Sequence, residues 1–80
     1  MPAPELQIVA RTPKQFTEAL RRFRRKLNLS QKEVGEKVGL PQTTVSKIEK
    51  ELISPSLGNL YKLLAALDLE IVIRPRTKGQ

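Results

Sequence analysis

Gln42, Thr43, Ser46, Lys47 and Lys50 are the residues whose types and spacing can do chemistry in this 80-residue chain. On a helix turning about 100° per residue they fall within one arc of about 140°. Val45 and Ile48 fall on the opposite side and anchor that helix to a core. An exposed helix face usually carries charges that keep it soluble. This one carries amide, hydroxyl and ammonium groups in a narrow stripe, which suits hydrogen-bond recognition. Covalent catalysis has little to work with: there is no Cys and no His, so thiolate and imidazole are unavailable as nucleophile, base or metal ligand. No pair of carboxylates is placed in an apolar pocket either. No enzyme activity, metal or cofactor is expected.

The charge points to what the stripe could recognise. Fifteen Lys and Arg against eight Asp and Glu give a net charge of +7, which implies an anionic partner. Residues 13–50 hold ten basic and four acidic side chains, and the rest of the chain holds five and four. The positive charge therefore belongs to the middle of the chain and not to a basic tail. A membrane-active peptide would also be basic, but it would carry Trp or Phe along one strongly amphipathic surface helix. This chain has no Trp, and its two Phe sit on a helix that also carries core positions. No apolar run approaches the roughly 20 residues that span a bilayer, and the N-terminus lacks a signal-peptide core, so a cytoplasmic location is expected.

The elements that must position the stripe are helical. Residues 1–11 read as an N-terminal arm with a short strand at 6–10. Thr12 caps a first helix over 13–27, with Pro13 in its first turn, Gln15 completing a capping box, and Phe16, Leu20, Phe23 and Leu27 at helical spacing. Ser30 and Glu33 form a second capping box opening a helix over 31–38, with Val34 and Val38 inward, and Gly39 is a left-handed stop. Gly35 costs that helix about 1 kcal/mol relative to Ala, which suggests close packing against another backbone. The third helix runs over 42–50. Ser56 caps a fourth over 57–67, with Leu57, Leu60, Leu64 and Leu67 inward. The period then changes from helical to alternating over 69–75, a strand ended by Pro75. Residues 76–80 read as a disordered tail.

Two short helices joined by "GLP" make a helix-turn-helix. The major groove of B-DNA admits a helix and displays a distinct hydrogen-bond pattern for each base pair. Gln can pair with adenine, Lys can donate to guanine, and a Thr methyl can meet the thymine methyl. Gln31 and the N–H groups opening the preceding helix can hold phosphate.

The stretch "LSQKEVGEKVGLPQTTVSKIEK" (29–50) resembles the helix-turn-helix of the phage-repressor-like regulators of the Cro/C1 or XRE type, and the resemblance covers residues 13–68. It implies an all-α, lambda-repressor-like four-helix domain over 12–68 that binds double-stranded DNA. Position by position it implies base reading by Gln42, Thr43 and Lys47. It implies backbone contacts by Gln31, Lys32, Thr44, Ser46 and Lys50, and a structural ion pair between Arg24 and Glu49. Two residues depart from the pattern: Pro41 stands where Ser or Thr often caps the third helix, and Glu51 stands where Gly usually ends it.

Phage-type repressors usually continue with a fifth helix, whereas this chain continues with the alternating segment 69–75. A lone strand leaves unpaired edges. Pairing of Leu69, Ile71, Val72 and Ile73 with a second copy would satisfy them, as would an intrachain hairpin with 6–10. Leu63 and Ala66 extend the apolar surface of the fourth helix beyond its inward stripe, consistent with a nearby subunit interface. The ending "LLAALDLEIVIRP" resembles the HipB antitoxins. That resemblance implies a homodimer on a palindromic operator in its own promoter and a HipA-like kinase toxin as partner. A stand-alone XRE-type regulator is the other reading.

Overall fold

In the computed structural model, which describes residues 7–76, four helices follow one another: α1 (Pro13–Lys26), α2 (Gln31–Val38), α3 (Gln42–Glu49) and α4 (Leu57–Ala66). α2 packs against α3 and α4, and α1 against α3. One core results, built from Leu20, Val34, Val45, Ile48, Leu63, Leu64 and Leu67, with Phe16, Leu29, Leu40, Ala66 and Leu69 packed on its margin. Among the described residues no helix is long and apolar enough to cross a membrane.

The helix starts follow local chemistry. The Thr12 hydroxyl accepts from Gln15 N–H at 3.1 Å, while the Gln15 carboxamide reaches one residue further back, to Arg11 N–H, instead of closing a box on Thr12. Ser56 accepts from Asn59 N–H at 3.1 Å. Three helices end one residue earlier than the apolar period suggests, because Leu27, Lys50 and Leu67 are caps. After each cap the chain turns through a left-handed residue: Asn28, Glu51 and Asp68 have φ of 58°, 59° and 58°. Each turn closes the same pair of bonds, such as Leu52 N–H to Lys47 C=O at 2.8 Å and Glu51 N–H to Ile48 C=O at 3.0 Å. This is the Schellman arrangement, in which glycine is favoured. Asn and Asp tolerate the left-handed region better than Glu. Glu51→Gly should therefore raise the unfolding free energy by about 0.5–1 kcal/mol, after allowance for the freer glycine chain when unfolded. Urea midpoints would check this, and an unchanged or lower midpoint contradicts it.

Two further expectations are corrected. No strand forms among the described residues: 7–11 and 69–76 make no backbone hydrogen bonds to each other. A strand exists only through a ladder, and within one chain these segments have no ladder partner. They flank a groove floored by Phe16, Leu20, Phe23 and Leu64. Leu69 is half-buried, while Val72 and Ile73 are 65% and 93% exposed. The rest of the N-terminal arm (1–6) and the tail residues 77–80 lie outside the described residues. The second correction concerns α4. Its core stripe is Leu63, Leu64 and Leu67 with Leu60 half-buried, so Leu63 is core and not spare surface. Leu57, at the first position of α4, is 67% exposed and stands outside that stripe.

Candidate nucleic-acid interface

α2 and α3 present the candidate site, and the turn between them sets their angle. The Ser30 hydroxyl accepts from Glu33 N–H at 3.0 Å, and Glu33 Oε1 accepts from Ser30 N–H at 2.8 Å. Val34 N–H donates to Ser30 C=O at 3.0 Å. The N–H groups of Gln31 and Lys32 are thus the donors of the first turn, at the positive end of the helix dipole. Gly39 takes φ 75° and ends α2. Pro41 then opens α3 without a side-chain cap. Its carbonyl alone holds the first turn, accepting from Thr44 and Val45 N–H at 3.0 and 3.2 Å.

Val45 and Ile48 are each 1% exposed and fix the roll of α3. Gln42, Thr43, Lys47 and Lys50 stand in solvent, as does Lys32 on α2. Ser46 is half-covered, as is Thr44 beside the stripe, so four of the five stripe residues are open: Gln42, Thr43, Lys47 and Lys50.

Two carboxylates of α2 and α3 are engaged within the fold, while Glu36 on α2 stands in solvent. Glu33 is spent on its own cap. Glu49 is buried, with its side chain 5% exposed, and it accepts from Arg24 Nε at 2.6 Å and Nη2 at 2.9 Å. Arg24 Nη1 also donates to Leu29 C=O at 2.9 Å, and Arg21 Nη1 donates to Glu49 C=O at 3.3 Å. Gln31 Nε2 donates to Glu49 Oε1 at 3.1 Å, a contact that sequence reasoning missed. Among the described residues no buried side-chain polar atom lacks a partner. With two acids engaged internally, the exposed lysines of α2 and α3 set a positive field over the face.

Burial raises the Glu49 pKa and is its largest single influence. The hydrogen bonds of Arg24 and Gln31, with the charges of Arg24 and Arg21, outweigh it and hold the carboxyl below the ordinary range. The Ser30 backbone bond lowers Glu33 likewise. An acid whose pKa is lower folded than unfolded adds stability above the unfolded value and loses it as pH falls through the folded value. Stability should therefore fall with acidification below about pH 5. The acid limb should be shallower when the pair is replaced by Arg24→Met/Glu49→Met. Urea midpoints across this range would check it, and an equally steep limb in the double variant contradicts the assignment to Glu49.

A capped short helix, a glycine turn and a second helix with a polar outward face define a helix-turn-helix domain. The chain belongs to the XRE-type helix-turn-helix family, whose model (HTH_3) matches residues 20–73. It is 41% identical over 61 residues, 76% of its length, to the uncharacterized HTH-type transcriptional regulator y4dL of Sinorhizobium fredii. It is 37% identical over 62 residues, 78% of its length, to antitoxin HigA1 of Mycobacterium tuberculosis. The chain spans less than half of these two relatives, 31% and 42%. Among solved structures it is similar to a chain of a HipA-HipB-O2-O3 complex, with TM-score 0.80 and 25% identity over 90% of this chain and 100% of that one. It is thus a helix-turn-helix domain related to the HigA and HipB antitoxins.

Proposed function

We propose that the chain is a sequence-specific transcriptional repressor acting as the antitoxin of a toxin–antitoxin pair. It binds a palindromic operator in its own promoter as a homodimer and sequesters a HipA-like kinase toxin. The observation that carries the DNA part is the face of α3: Gln42, Thr43 and Lys47 exposed, Val45 and Ile48 buried behind them, and Glu49 turned into the core. In this reading those three side chains contact base edges. Gln31, Lys32, Thr44, Ser46 and Lys50 contact the backbone. The antitoxin part is supported by the likeness to the whole of one chain of a HipA-HipB-O2-O3 complex and by 29% identity over 62 residues to antitoxin HipB of Escherichia coli.

Dimerisation in this reading uses Leu69, Ile71, Val72 and Ile73. Ile71, Val72 and Ile73 expose apolar side chains beside the half-buried Leu69, and these with the unladdered backbone are what a second copy would cover. Half-sites would then lie about one helical turn apart or a multiple of it. The similarity to a HTH-type transcriptional regulator favours a second reading, a regulator with no toxin partner. Affinity capture from nuclease-treated native extract separates the two: recovery of a HipA-like kinase supports the first, and recovery of the protein alone supports the second.

Gln42→Ala should weaken binding at one base position of each half-site by about 1–3 kcal/mol. Selection from a random duplex pool, followed by affinities on single-base variants, would check this. A uniform loss over all sequences contradicts base reading. Affinity should also fall steeply with salt, since the lysines displace counterions.

A further inference from the structure

Gln31 and Glu49 have separate roles above, one at the DNA backbone and one in the core, yet they are hydrogen-bonded. Glu49 Oε1 receives Arg24 Nη2 at 2.9 Å and Gln31 Nε2 at 3.1 Å. Arg24 grips the other oxygen through Nε at 2.6 Å, and Arg21 holds the Glu49 carbonyl at 3.3 Å. Side chain and backbone of Glu49 are thus fixed by two arginines of α1. An ionised carboxylate only accepts, so the nitrogen end of the Gln31 amide must face it. The amide has two N–H groups. One is spent on Glu49, and the other is left for an acceptor outside, because Gln31 is half-buried at the start of α2. Without Glu49 the amide could turn either end outward, and the carbonyl end repels phosphate.

We propose that Glu49 is a positioning residue for DNA: anchored by Arg24, it holds the Gln31 carboxamide so that an N–H points outward to a backbone phosphate. This rests on the reading of Gln31 as a backbone contact. It adds a binding role to an ion pair otherwise purely structural. It also ties α1 and the end of α3 to a contact made from α2.

The test measures the effect of Gln31→Ala in two backgrounds. One is the native chain, the other the Arg24→Met/Glu49→Met variant, which removes the anchor while keeping side chains that can pack. Affinity is read by fluorescence anisotropy on a mixed-sequence duplex of about 20 base pairs at low salt, because phosphate contact is independent of sequence. Gln31→Ala should weaken binding about tenfold in the native chain and less than about twofold in the double-Met background. Equal losses in both backgrounds overturn the positioning role while leaving Gln31 as a backbone contact. No loss in the native chain overturns the underlying reading of Gln31 and the proposal with it.

A measurement on the unmutated chain stands if the double-Met variant fails to fold. The side-chain amide of Gln31 should have a 15N order parameter of about 0.8 without DNA, as rigid as backbone. A value below about 0.6, that of a freely moving side chain, overturns the proposal.

Discussion

Arg24→Ala is expected to lower the unfolding free energy by about 3–5 kcal/mol. A domain of this length has about 4–12 kcal/mol in total, so the variant should be substantially unfolded at physiological temperature. Arg24 is only 9% exposed, and all its donor contacts are internal. Its removal leaves the Glu49 carboxylate buried with only the Gln31 amide as a side-chain donor, and it strips the Leu29 carbonyl of its guanidinium partner. Glu49→Ala should be similarly damaging, since the guanidinium is then buried without its counter-charge. The pair itself is a different matter. Two ions taken out of water give back little net stability, so Arg24→Met/Glu49→Met should fall within about 1 kcal/mol of the native chain or exceed it. Urea unfolding followed by circular dichroism on the native chain, both single variants and the double would decide. A double variant as damaged as either single one would show that the charges themselves hold α1 to α3.

Legibility in the sequence followed the range of the interaction. The start of α2 is written in Ser30 and Glu33, three residues apart, and its end in Gly39, so both ends stand where the residues place them. The open face of α3 follows from Val45 and Ile48 because a helical period needs only its own residues. The ends of α1, α3 and α4 were less clear. They close on left-handed Asn28, Glu51 and Asp68, and no propensity marks a glutamate for that conformation. In α4, Leu57, Leu60, Leu63, Leu64 and Leu67 offer more than one apolar stripe, and the position of α2 decides which is buried. The alternation over 69–74 describes side chains, whereas a strand also needs a neighbour for its backbone. The Gln31–Glu49 bond spans 18 residues between a helix start and a helix end. Each residue has a sufficient local explanation, and only the packing of α2 against α3 brings them together.

Gly35→Ala should lower the unfolding free energy by about 2–3 kcal/mol, although Ala is the better helix former by about 1 kcal/mol. The reason is the turn. Gly35 is buried in the middle of α2, and a Cβ built there would overlap the carbonyl oxygen of Leu40, with Leu40 C at 3.3 Å and Val45 Cγ2 at 3.5 Å. The oxygen is backbone, so no side-chain rotation can clear it. Leu40 N–H also donates to Gly35 C=O at 2.9 Å, which ties that stretch of chain to the same residue of α2. Relief requires moving the turn, and Pro41 and the first residues of α3 move with it. DNA affinity of the folded fraction should therefore fall along with stability, because Gln42 and Thr43 sit on the segment displaced. Gly39→Ala is the control. That glycine has φ 75° with nothing within 4 Å of an added Cβ, so it should cost about 1–2 kcal/mol from backbone strain alone. Unfolding midpoints and duplex affinities of the two variants separate the mechanisms. A Gly35→Ala chain more stable than the native one would mean that helix propensity outweighs the contact and that the turn has room to give.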